Sequence, residues 1–175
     1  MNIRPATPAD LPALMEIFAR ARRFMAEHGN PGQWPDSYPD GALMRGQIDR
    51  GVCYVCEADE EIQGTFCLIF GDDLTYAVIL DGAWPDDAPY ATIHRLASAG
   101  RRPGVGRFCI DWCGRQAGTL RADTHADNHV MQHLLESAEG SAAFSEIFRA
   151  VCLLQAKGIF NKKVTPPEAV SRILI

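Results

Sequence analysis

The stretch "SAGRRPGVGRFCIDWC" (residues 98–113) joins two arginines and two closely spaced glycines to the start of a helical pattern. Apolar residues recur at helical spacing from Val105 to Cys113, so a helix is predicted to begin inside "GVG". The first amides of a helix have no intrahelical partner and carry the positive end of its dipole. Glycine lets an anion approach those amides, and Arg101 and Arg102 add positive charge. The stretch predicts an anion site suited to a pyrophosphate, although a glycine turn with two solvated arginines would have the same local sequence.

Composition limits what surrounds this stretch. The chain has 175 residues, 47% of them hydrophobic, which suits one compact domain with a core. A net charge of -5 argues against a surface made wholly for nucleic acid or an acidic membrane, so an anion site must be local. No signal-peptide pattern is present and no apolar run reaches the roughly 18 residues of a membrane span, so a cytoplasmic protein is expected.

The six cysteines are expected to be thiols, because nothing in the sequence indicates export. Cys53 and Cys56 form a C-x-x-C pattern, but they lie in a predicted strand. Residues three apart in a strand point to opposite faces, which disfavours a shared metal or a disulfide.

Local signals predict the order helix, helix, three or four antiparallel strands, helix, strand, helix. The first helix has Thr7 as its N-cap with Asp10 completing a capping box, and Asp40 caps the second helix. Gly64 is a candidate bulge in the first hairpin. An antiparallel hairpin of two strands is predicted over 52–71, further strands at 75–79, 91–98 and 119–123, and the last helix at 128–136.

"RRPGVG" (101–106) matches the R/Q-x-x-G-x-G/A signature of the GNAT superfamily of acetyl-CoA-dependent N-acyltransferases, and it lies between a strand and a helix as in that family. "MNIRPATPADLPAL" resembles the family's first strand and helix, and "DTHADNHVMQHLLE" is similar to its N-x-x-A-x-x-L-Y-E helix. "HGNPGQW", "GTFCLIFG", "DGAW" and "IHRLAS" resemble a bacterial subgroup of unassigned substrate. The resemblance covers residues 1–136. It implies a mixed α/β (α+β) fold, with a mostly antiparallel sheet flanked by helices.

The resemblance implies transfer of an acetyl group from acetyl-CoA to a primary amine of a small molecule or protein, by direct attack. With the net charge of -5 and no apolar span, neither a nucleic-acid nor a membrane partner is expected, and a homodimer is left open. The strand before the loop would lie along the pantetheine arm of coenzyme A, the loop would hold the phosphates, and an asparagine would help to position the cofactor. By position these are Leu96, Ala97 and Ser98 for the arm, Arg101, Arg102, Gly104, Val105 and Gly106 for the phosphates, and Asn128.

The catalytic residues are less well specified. The tyrosine that often protonates the leaving thiolate in the family falls at Leu135, which leaves that role vacant. His94, on the strand entering the loop, is a candidate base because imidazole is the side chain most often used for proton transfer, with a structural histidine as the alternative. Asp123 and His125 are second candidates for a base or a substrate contact.

Two tryptophans in predicted loops, Trp34 and Trp84, are candidate walls of the acceptor site, and core packing is the alternative. His125, His129 and His133 have spacing that invites a zinc site. His125 is predicted to precede the helix and no carboxylate is spaced to complete a closed site, so a solvated helix face is favoured and no metal is expected.

The resemblance stops at Glu136. The family continues with a Gly-Phe turn and two antiparallel strands, whereas residues 144–154 have helical spacing and predict a helical tail over 137–175, within the same domain or appended to it. The abrupt change suggests, as a hypothesis, a reading-frame shift near codon 137, and a native tail is the alternative. The alternative function is a CoA-binding protein with little turnover, because the family's final strands and its tyrosine are missing.

Overall fold

The structure, a computed structural model, describes residues 1–73 and 88–138 in full and residues 146–152 by their backbone. Trp84 and the strand predicted at 75–79 lie outside the described residues.

The described strands form one six-stranded sheet in chain order. Neighbours pair antiparallel from the first strand to the fourth, and the fourth, fifth and sixth pair in parallel. This confirms the mixed, mostly antiparallel sheet. The strands are β1 (Asn2–Pro5), β2 (Cys53–Ala58), β3 (Glu61–Phe70), β4 (Ala91–Ser98), β5 (Thr119–His125) and β6 (Glu146–Cys152).

The predicted helix starts are confirmed. The Asp10 carboxylate accepts hydrogen bonds from the backbone N–H of Thr7 at 2.7 Å and from its hydroxyl at 2.8 Å, around a 3-10 turn at Pro8–Asp10. Asp40 accepts from the N–H of Leu43 at 2.7 Å. No helix in the described part of the chain is long and apolar enough to cross a lipid bilayer. The helices are α1 (Leu11–Glu27), α2 (Gly41–Asp49), α3 (Val105–Gln116) and α4 (His129–Ala138).

Helices cover both faces of the sheet. On one face α1 and α2 bury residues such as Phe18 and Met44. On the other face α3 and α4 bury residues such as Ile110 and Leu135. Cys53 belongs to the first core and Cys56 to the second, which confirms that their side chains point to opposite faces.

β4 and β5 pair over a short length only. Within the described strands the parallel register joins Ala91 to Leu120 and Thr92 to Arg121. The carboxyl halves of the two strands then separate, and α3 begins beyond the end of β4. Separated parallel strands create an opening at the carboxyl end of a sheet, where ligands of α/β proteins commonly bind.

The helical tail predicted after Glu136 is wrong for residues 146–152. These residues form β6, which pairs in parallel with β5 from Thr119↔Glu146 to His125↔Cys152. The physical reason is that β5 would otherwise present an unpaired edge. "EIFRAVC" also contains the β-branched and aromatic residues that strands favour, so sheet pairing overrides its helical spacing.

Candidate functional site

The loop between β4 and α3 has the backbone that the glycine signature predicts at its first glycine. Gly104 precedes α3 with φ 78°, in the left-handed region that glycine adopts without steric cost. A Cβ atom at this position would meet no described atom within 4 Å, so the backbone conformation, and not crowding, explains the glycine. Because Gly104 also has no side chain to cap the helix, the first amides of α3 remain available to an anion.

Gly106 is explained by helix packing. A Cβ atom here would lie 2.7 Å from Cδ2 of Leu134. Its missing side chain lets α3 pack closely against α4, whereas the sequence had suggested a close approach to a ligand. A second close contact lies behind the loop, where a Cβ atom on Gly64 would be 2.7 Å from Cγ1 of Val105.

Both loop arginines are on the surface, as expected. The side chains of Arg101 and Arg102 are 53% and 45% exposed. Arg101 pairs with Glu61 at 3.1 Å and Arg102 with Asp59 at 2.8 Å, both near the turn between β2 and β3. Exposed ion pairs contribute only about 0–1 kcal/mol, so a phosphate group can replace these carboxylates at little cost.

The strand entering the loop keeps one edge open toward the separation from β5. Ala97 pairs with Thr65 and Ser98 with Gly64 on the β3 side. On the other side, the described pairing to β5 ends at Thr92. The backbone of Leu96, Ala97 and Ser98 is therefore placed to hydrogen-bond an extended ligand chain, in the way a peptide adds to a sheet edge.

His94 is held by a carboxylate. Its Nε2 lies 2.7 Å from Oδ2 of Asp73, and the two side chains are 1% and 10% exposed. Asp73 is itself placed by its backbone N–H, which donates to the Tyr90 hydroxyl at 3.0 Å. In the neutral imidazole this contact puts the proton on Nε2 and leaves Nδ1 as the acceptor.

The two second candidates lie on β5. Asp123 is half-buried, and its charge helps to raise the pKa of Tyr38, which burial raises most. His125 is 15% exposed, and its Nδ1 accepts from the N–H of Asp127 at 3.1 Å.

Asn128 begins α4. Its Oδ1 accepts from the N–H of Met131 at 3.1 Å, which caps the helix. Its Nδ2 donates to Oε1 of Gln33 at 2.8 Å, and the same oxygen accepts from Asn30 at 2.6 Å. Asn128 thus connects the segment between α1 and α2 to α4, and its cofactor contact remains a prediction.

Trp34 lies in the core. It is 6% exposed, with its ring centroid 5.8 Å from that of Phe18 and 6.2 Å from that of Tyr38. This is the core alternative of the sequence analysis. Leu135, at the position of the family's tyrosine, is also buried in the core.

Within residues 1–73 and 88–138, no three His, Cys, Asp or Glu side chains group as metal ligands. His129 and His133 are exposed on α4. Their arrangement is that of a solvated helix face.

Arg95 and its partner Tyr38 were not singled out from the sequence. Arg95 is 1% exposed, and its Nε donates to the Tyr38 hydroxyl at 2.9 Å. Its φ of 55° is a left-handed conformation that a non-glycine residue rarely adopts. The available signal was a basic residue inside the otherwise apolar strand "ATIHRLAS", because buried charges usually have a specific reason.

No protein-family model and no curated protein matches the sequence. Among solved structures, the chain is similar to a GNAT-family acetyltransferase from Streptococcus agalactiae, with 28% identity and a TM-score of 0.68 over 78% of this chain and 83% of that protein. A ribosomal-protein-alanine N-acetyltransferase from Brucella melitensis shares the fold at 20% identity, with a TM-score of 0.53 over 79% and 83% of the two chains. An aminoglycoside 6'-N-acetyltransferase from Acinetobacter haemolyticus does so at 16% identity, with a TM-score of 0.51 over 79% and 90%.

Proposed function

We propose that this chain, a member of the GNAT superfamily of acetyltransferases, transfers an acetyl group from acetyl-CoA to a primary amine of a small molecule or protein. In this reaction a bound amine attacks the thioester carbonyl directly. The protein orients the two reactants and accepts a proton from the amine.

One observation carries the proposal. The left-handed Gly104 places the uncapped start of α3 directly beyond the open edge of β4. These features fit coenzyme A, because helix amides and exposed arginines suit its phosphates and an open strand edge suits its amide-containing arm. The first amides of α3 with Arg101 and Arg102 would hold the phosphates, and the backbone of residues 96–98 the arm. Acetyl-CoA supplies the activated acetyl group.

His94 is the residue we assign to proton acceptance. It is buried on β4 near the opening, and Asp73 fixes its ring. A histidine held by a carboxylate has a defined tautomer, which is the arrangement of a positioned base. Asp123 on the facing strand is the alternative base.

Calorimetry with acetyl-CoA tests the binding step. We expect saturable binding and a rise in the melting temperature, since a ligand at about 100 times its Kd adds about 2.7 kcal/mol of stability. The double variant R101E/R102E should lose the binding and keep the fold, because both side chains are exposed. Absence of binding at millimolar acetyl-CoA, or normal binding by the double variant, would contradict the assignment.

Thiol release from acetyl-CoA, measured against a panel of amines, tests the transfer step. H94Q should lower kcat and leave the affinity for acetyl-CoA unchanged, because the imidazole is assigned to the proton and not to the phosphates. If H94Q retains full activity while D123N loses it, the base is Asp123.

A further inference from the structure

Arg95 occupies an irregular position in β4. The register passes from Thr65↔Ala97 to Cys67↔His94, so two residues of β4, Arg95 and Leu96, stand opposite one residue of β3. This bulge turns Arg95 toward Tyr38. Tyr38 lies in the segment that joins α1 to α2. Bulges of this kind re-aim a side chain, and they are common beside active sites.

The charge of Arg95 is buried, and among the described residues it forms no salt bridge. Its Nε donates to Tyr38 and the buried Cys67 thiol lies beside it, but its Nη1 has no hydrogen-bond partner among the described residues. No carboxylate of the described residues lies within 4.0 Å of its guanidinium. Buried charges are normally paired, because an isolated one loses its hydration without compensation.

A second donor near Arg95 is also unsatisfied. The indole Nε1 of Trp34 is buried with no hydrogen-bond partner among the described residues. Its ring contacts that of Tyr38, which in turn contacts Arg95. Two donors around one tyrosine, one of them cationic, call for an acceptor that carries negative charge.

The position relative to the opening between β4 and β5 indicates what that acceptor is. Arg95 lies on β4 beyond the last described pair with β5, on the strand that leads to the cofactor loop. Asp123 lies on β5, and after burial, which raises the pKa of Tyr38 most, its negative charge raises that pKa further. A cation and an anion therefore stand on the two separating strands, which is complementary to a molecule that carries both an amine and a carboxylate.

We infer that Arg95 receives the carboxylate of the acetyl acceptor, so that the acceptor is an amino acid or a similar amine bearing a carboxylate. This inference rests on the proposed function. Because the Tyr38 side chain contacts the guanidinium and Arg95 is only 1% exposed, this binding requires the Tyr38 side chain to move.

Matched acceptors test the inference. Acetyl transfer is measured for phenylalanine against phenethylamine and phenylalaninamide, for alanine against ethylamine, and for a peptide with a free amino terminus and an acidic side chain. We expect the free amino acids to be preferred by about 10- to 100-fold in kcat/KM, the range of a buried charge-assisted hydrogen bond. Preference for the acidic peptide over the free amino acid would overturn the assignment of a free amino acid.

R95M should abolish the preference, and R95K should keep part of it, because lysine retains the charge without the planar fork. The control is R121M: Arg121 is also a buried arginine, but its guanidinium lies 3.6 Å from the Tyr90 ring centroid at the paired end of β5. R121M should leave the preference intact. A preference that is absent, or that survives in R95M, would overturn the inference.

A binding measurement separates this inference from the proposed function. N-acetylphenylalanine should raise the melting temperature of the wild type and not of R95M, whereas N-acetylphenethylamine should raise neither. If acetyl-CoA does not bind but this pattern holds, the proposed function fails and the carboxylate site stands. If acetyl-CoA binds but N-acetylphenylalanine gives no shift that depends on Arg95, the carboxylate site fails and the transferase assignment stands. Should R95M not fold, R95K carries both comparisons.

Discussion

Glycines around α3 are required for different physical reasons, although the sequence shows them as one motif. Gly104 is fixed by its backbone angle, and a residue with a side chain there would be strained by about 1–2 kcal/mol. Gly64 and Gly106 are fixed by neighbouring atoms. The two crowded positions differ in what a new methyl group would meet.

We expect G64A to lower the free energy of unfolding by about 1–3 kcal/mol, the usual range for overpacking, and G106A by less than about 1 kcal/mol. At Gly64 the methyl group would meet a Val105 methyl at 2.7 Å and the Ala97 carbonyl oxygen at 3.0 Å, and the backbone cannot turn away. At Gly106 it would meet the end of the flexible Leu134 side chain. Urea denaturation measures both, with G118A as a control because nothing described lies within 4 Å of that position. Equal losses in G64A and G106A would contradict this account.

A salt-bridge network ties three elements together at the start of the chain. Arg4 of β1 donates to Asp10, before α1, at 2.8 and 2.9 Å, and to Glu57 of β2 at 2.9 Å. The hydrogen bond from Arg4 is the main reason that the pKa of the Asp10 carboxyl lies well below its usual range. A carboxyl whose pKa is depressed by folding stabilises the native state above its unfolded pKa, near 4, and this contribution is lost as the pH falls toward the folded pKa.

R4Q should therefore lower the free energy of unfolding at pH 7, by about 1 kcal/mol because the network is partly exposed. The difference from wild type should shrink as the pH falls below about 4, where Asp10 of the unfolded chain is protonated. Denaturation curves at several pH values give both quantities. The matched control is R45Q, which breaks an exposed pair with Asp49 and should have a smaller effect. A difference that grows toward acid pH would contradict the assignment to Asp10.

Elements whose signals are local could be predicted, and those that depend on distant partners could not. The starts of α1, α2 and α3 follow from Thr7, Asp40 and the "GVG" turn, each of which acts within a few residues. β6 could not be recognised, because its strand form depends on the edge of β5 and not on its own spacing. The importance of Arg95 could not be predicted from the sequence for a similar reason. Its position depends on a bulge in β4 and on a hydrogen bond to Tyr38, 57 residues away in the chain.

At the scale of the whole molecule, five of the six cysteines are enclosed by the surrounding packing. Cys53, Cys56, Cys67, Cys109 and Cys113 are free and buried, and burial raises the pKa of the Cys113 thiol. We expect these five thiols in a C152S background to react with an aromatic disulfide reagent only when the protein unfolds, because all five are buried and the reagent needs access to the sulfur. The number of thiols that react is counted in buffer and in guanidinium, by stopping each reaction at set times. Rapid reaction of any of the five in buffer would show that the native packing opens locally.

The short pairing between β4 and β5 also has a consequence for how the protein folds and opens. β1 to β4 are joined to their neighbours by antiparallel ladders, whereas β5 is joined to β4 by two described residue pairs. Parts of a protein that share few hydrogen bonds can open as separate cooperative units, and parallel pairing forms late because it closes long loops. The seam between the early and the late unit then coincides with the opening where we propose that coenzyme A binds. On that proposal, a bound cofactor would stabilise the region that the fewest sheet hydrogen bonds hold together, so that the part of the chain that folds last would also be the part that the ligand stabilises.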